Sequence, residues 1–184
     1  MNLFGQKSGR ITEASAPRFL FAAIVLIILP VFAAAQVDDY ADGAPPPIKA
    51  MSKSEASQLA AETDVKDRTK LAIELMSARL TKAEELNAKS EFAEMYNELG
   101  AFHALMDNAL AFLYRNSAGN KNLDTFKRFE IALRAFAPRL GVIRRELPTA
   151  YDPYVKNLIK YLRDARSKAV EPLFDDTVVP NRRT

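Results

Sequence analysis

His103, the single histidine of the chain, lies between Phe102 and Met106 in the stretch MYNELGAFHALMDNALAFLYRN, residues 95 to 116. A histidine and methionines on an apolar helix stripe are the parts from which a four-helix bundle builds a haem site. Met106 is three residues away and points the same way as His103, so the second axial ligand would have to come from Met76 or Met95. The plainer reading is a core-edge histidine, because methionine and aromatic residues at helical spacing are what fill any helical core. Glu91, Glu94 and Glu98 form a second candidate group, on neighbouring faces of one helix, where carboxylates could hold a divalent cation or share a proton. Nothing in the sequence marks a pocket beside them, and they read as a solvated acidic face.

The remaining chemistry is screened by absences. One histidine excludes His-Glu-x-x-His zinc sites, and no Glu-x-x-His occurs for a di-iron bundle. Gly-x-Ser-x-Gly, Ser-x-x-Lys and phosphate-cradling glycine loops are also missing. No catalytic residue, metal or cofactor is therefore assigned, and a non-enzymatic protein is expected. The third candidate is a basic face: Arg144, Arg145, Lys156, Lys160 and Arg163, with Lys156, Lys160 and Arg163 spaced to share one side of a helix. Its natural partners are an acidic protein, an acidic polymer of the cell envelope or, peripherally, an anionic membrane surface.

Where such a face meets its partner depends on the amino terminus. A polar segment with Lys7, Arg10 and Arg18 precedes the apolar run from Phe19 to Leu29, then Pro30 and the small residues Ala33, Ala34 and Ala35. That run is far short of the roughly 20 residues a spanning helix needs. Residues 1–35 are expected to be a signal peptide cleaved after Ala35, with an uncleaved membrane anchor as the alternative. Export to the periplasm or the extracellular space follows, and nucleic acid is not an expected partner there. The chain has no cysteine, so an exported form relies on its core without disulfides. Charge is segregated: residues 36–114 carry 8 basic and 14 acidic groups, residues 115–184 carry 15 and 8.

The elements that must position these residues are all helical. Residues 36–51, with three consecutive prolines, read as a spacer, and residues 173–184 as a flexible tail. Between them, residues 52–172 form the folded domain. Ser52 and Glu55 match a capping box, predicting a first helix from about Lys53 to Ala88. A turn near Asn87 and Ser90 is favoured over one continuous helix to Asn116, which would extend roughly 96 Å. A second helix runs from about Glu91 to Asn116. After a loop in which Gly119 is placed to stop the helix and Asn120 or Asn122 to start the next, a third spans Leu123 to Leu147 and continues through Pro138 with a kink. The fourth starts with Asp152 as cap and Pro153 in its first turn, and Pro172 ends it. Short connections favour antiparallel neighbours, giving an all-α, up-down-up-down bundle of about four helices. In that topology Glu84, Glu85, Glu91, Glu94 and Glu98 would lie near Arg139, Arg144, Arg145 and Lys156.

Tyr96, Leu99, Gly100 and His103 resemble the first half of a tetratricopeptide repeat. The second half departs from that pattern at Asn116, Gly119 and Asp124, and no similar segment recurs 34 residues away. Gly100 and Gly141 are instead expected where helix backbones approach closely. The functional expectation is an exported helical-bundle module that binds a protein or another envelope component. Its alternative is a ligand- or cofactor-binding bundle, haem being the example.

Overall fold

The computed structural model describes residues 43–116 and 122–174, and the expected signal peptide, its cleavage site and most of the tail lie outside them. Among the described residues there are five α-helices and no strand: α1 (Lys53–Ala61), α2 (Val65–Ala88), α3 (Phe92–Asn116), α4 (Leu123–Glu146) and α5 (Asp152–Val170). All belong to the unit Val37–Thr184. None is long and apolar enough to cross a membrane.

The expected first helix is two. The capping box forms as read, with Ser52 Oγ accepting from the Glu55 amide at 3.2 Å and the Glu55 carboxylate accepting from the Ser52 amide at 2.8 Å. The helix then stops at Ala61, because Asp64 caps a new one, its side chain accepting from the Lys66 and Asp67 amides at 2.9 Å. An extended Glu62 separates the two. The next turn does fall at Asn87–Ser90. Ser90 adopts φ 62°, and the Ser90 and Glu91 amides donate back to the Asn87 and Leu86 carbonyls, each at 2.9 Å. This is a Schellman closure with serine at the left-handed position that glycine usually fills.

α2 and α3 pack along each other as a hairpin, as do α4 and α5, and the hairpins join where α2 lies against α4. One expectation fails here: α3 and α4, although consecutive, are not side-by-side neighbours. They meet across the core through large side chains, Phe102 on Phe136 (5.5 Å between ring centres) and Tyr114 on Phe126 (5.6 Å). Met76, Leu80, Met95, Leu99, Leu105, Leu113, Phe126, Phe129, Leu133 and Leu140 are fully buried among them. On α2 the core stripe is Ala72, Met76, Leu80, Ala83 and Leu86; Leu71 and Leu75 are half-buried and Ala78 is exposed. Pro138 sits inside α4, which continues through it as one helix.

α3 and α5 are joined by an aromatic seam. Phe92 and Tyr96 pack on Tyr151, Tyr96 on Tyr154, and His103 on Tyr161. Over this seam runs the segment Gly43–Met51, the described part of the expected spacer. It has no regular structure but it is not free: the Ala44 amide donates to the Ala150 carbonyl at 2.7 Å, and Ala44 and Met51 pack on the core. Gly100 is where it crosses α3. A Cβ there would stand 2.5 Å from the Ile48 carbonyl oxygen, so the close approach is to this strap and not to another helix. Gly141 has no close approach of any kind.

Ion pairs tie the elements together. Arg79 of α2 binds Glu55 of α1 at 2.7 Å and Glu98 of α3 at 2.7 Å. Buried Glu130 of α4 accepts from Arg134 of its own helix and from Arg166 of α5. Of the expected contacts between the acidic and basic halves, Arg139 to Glu84 forms, at 2.6 and 2.7 Å. Arg144 instead takes Asp152, and Glu98 takes Arg79.

Candidate functional site

α5 buries Tyr154, Val155, Leu158, Leu162, Ala165 and Ala169, which leaves Lys156, Lys160 and Arg163 on its outer side at steps of four and three. Such residues lie on one face, spread over roughly 10 Å at 1.5 Å per residue. α4 buries Phe136, Leu140 and Ile143, which turns Ala137, Gly141, Arg144 and Arg145 toward the flank facing α5. The structure thus brings all five predicted basic residues to one groove between α4 and α5. It consists of two adjoining hollows, of about 440 Å³ and about 270 Å³, which share Arg144, Ile159 and Arg163. Arg145 lines the larger, and Lys156 and Lys160 the smaller.

The floor is not legible from charge patterning. It is made by Ala137, Gly141 and half-buried Ile159. Apart from its own stretch of helix, no atom lies within 4 Å of where a Gly141 Cβ would be, so the missing side chain leaves α4 bare and opens the groove. The only sequence signal for it is a glycine inside a strongly periodic helix, where it costs about 1 kcal/mol relative to alanine.

Asp152 is the one acid among the residues lining the groove, and it is engaged. Its carboxylate accepts from Arg144 Nε at 2.6 Å and from Nη2 at 3.1 Å. These hydrogen bonds hold the Asp152 carboxyl below the usual range, Lys156 adding to the effect, and hold the Arg144 guanidinium above its own. The expected helix cap is accordingly absent: α5 begins after Tyr151 with no side-chain cap, and Pro153 needs no donor partner there. A fork-to-carboxylate pair fixes Arg144 at the mouth and leaves Arg145, Lys156, Lys160 and Arg163 as exposed cations along the walls. Such an arrangement attracts an extended anion, and its one carboxylate, held low by a guanidinium, is a weak base.

His103 stands elsewhere, buried on the α3–α5 seam. Its Nδ1 is 3.5 Å from the Tyr154 hydroxyl, its ring centre 4.5 Å from that of Tyr161, and its Nε2 3.8 Å from Asp107. Burial pushes its pKa down, Lys49 of the strap adds to that, and Asp107 opposes it. Met76, Met95 and Met106 are all fully buried in the core. Glu91 and Glu94 are exposed, and Glu98 is bound to Arg79. Among the described residues no group of three His, Cys, Asp or Glu side chains is placed to hold a metal ion. No family model, curated protein or solved structure matches the chain.

Proposed function

We propose that this chain is an exported, non-enzymatic up-down-up-down helical bundle that binds an acidic partner protein of the cell envelope through the α4–α5 groove. One observation carries the reading: Arg144, Arg145, Lys156, Lys160 and Arg163 line a single groove whose one lining acid is already paired to Arg144. Export is supported by the charged leader and short apolar run of residues 1–35, and the small residues before Gln36 mark the cleavage point. The envelope is where such a module meets its partner. Binding is electrostatic at long range and salt-sensitive, and the apolar floor of Ala137, Gly141 and Ile159 lets an acidic segment settle between the cationic walls.

Titration of the purified chain with a fluorescent oligoglutamate at low salt tests the reading. Saturable binding is expected, weakening as salt is raised. Lys156→Glu, Lys160→Glu and Arg163→Glu together should weaken it at least about tenfold, a loss of about 1.4 kcal/mol. Equal affinity in the reversed variant rejects the groove. Tighter binding to anionic vesicles than to any acidic peptide transfers the site to a membrane surface.

A further inference from the structure

The groove has an apolar neighbour on the same helix. Ile131, Ala135, Pro138 and Val142 follow one another on α4 at steps of four, three and four. They form a line of roughly 16 Å on the side opposite Phe129, Leu133, Phe136 and Leu140 of the core. All four are exposed, Ile131 at 52% and Val142 at 42%. Isolated apolar residues on a surface are ordinary, but four in one row at helix-packing spacing are the seam that a second helix recognises. The border of this row on the groove side is cationic. Lys127, Arg134 and Arg145 lie along it, and Arg145 falls between Gly141 of the groove floor and Val142 of the row at 3.6 residues per turn.

We infer that the partner is an acidic amphipathic helix, which lays an apolar stripe on Ile131, Ala135, Pro138 and Val142 and turns its carboxylates toward Arg145 and the groove beyond. This inference rests on the groove reading above and adds the partner's secondary structure and pattern. Charge complementarity selects the occupant. A second copy of this chain packed antiparallel on the row would set its own Lys127, Arg134 and Arg145 border against an identical one, whereas a helix bordered by Asp and Glu meets opposite charge on that side. The row also lacks the Trp, Phe and Leu with which interfacial surfaces enter lipid.

The test uses the full chain and two labelled peptides of equal net charge. One is helical, with leucines at steps of four and three bordered by glutamates; the other is oligoglutamate. The helical peptide should bind about tenfold tighter, since it buries apolar area that oligoglutamate lacks. The surface substitutions Ile131→Ser and Val142→Ser together should abolish that preference while leaving oligoglutamate binding and the helical circular dichroism unchanged. Lys160→Glu with Arg163→Glu should weaken both peptides. Equal affinity of the unaltered chain for the two peptides overturns the helix inference and spares the groove. Binding to neither overturns both, and a loss on Ile131→Ser and Val142→Ser that appears only with anionic vesicles overturns the protein partner in favour of a membrane.

Discussion

At the scale of single residues, position in the sequence and position in the fold assign different roles to similar groups. In sequence His103 stands out as a lone histidine between Phe102 and Met106, and the fold gives it a seat beside two tyrosines, Tyr154 and Tyr161. Its depressed pKa has a consequence for stability. Burial and Lys49 disfavour the imidazolium in the folded state, outweighing Asp107, while the unfolded chain protonates near the ordinary value of 6.5. The unfolded state therefore binds more protons below that value, so the stabilisation is fully present above it and is lost as pH falls through the folded pKa. Melting temperature should decline between pH 7 and pH 5, and His103→Gln should flatten that decline. Glu55, held at about 2 by Arg79, and Asp152, held low by Arg144, lose their contributions only in more acidic solution, as pH falls below the ordinary carboxylate range. A His103→Gln melting curve with the same slope over pH 5 to 7 would remove His103 as the cause.

At the scale of elements, what can be read from sequence is what periodicity and capping encode. The core stripes of α3, α4 and α5 emerge from apolar steps of three and four, and the capping box at Ser52 locates the start of α1. The break at Glu62–Asp64 is hidden because it needs no glycine or proline: an aspartate cap restarts the helix on its own. The turn at Ser90 is legible but its mechanism is not, since serine occupies a left-handed position without the usual glycine signal. That strain is removable. Ser90→Gly should stabilise the fold by about 0.5–1 kcal/mol, read as a higher urea midpoint with unchanged slope. A lower midpoint would mean that the Ser90 side chain contributes more than its backbone conformation costs. The strap reads as a spacer in sequence for a related reason. Three prolines predict extension, but whether an extended segment docks depends on Gly100 meeting Pro47 and Ile48, a long-range contact that no local periodicity reports.

At the scale of the whole molecule, two hairpins joined along α2 and α4 leave the outer flanks of α4 and α5 free to carry charge. The acidic and basic halves of the sequence meet at Glu84 and Arg139, but Arg145, Lys156, Lys160 and Arg163 line a groove that faces outward. The basic face is legible because helical spacing alone puts Lys156, Lys160 and Arg163 together. Its union with Arg144 and Arg145 across α4 and α5, the open floor at Gly141 and the pairing of Asp152 need the packed structure, because spacing within one helix says nothing about the register of its neighbour. This groove is the proposed binding surface. Its most direct test is an amide NMR titration of the isotopically labelled chain with oligoglutamate. Shifts concentrated at Gly141, Arg144, Arg145, Lys156, Lys160 and Arg163 are the predicted result; shifts scattered over the surface, or gathered on the α3–α5 seam around Tyr114 and Tyr161, would contradict it.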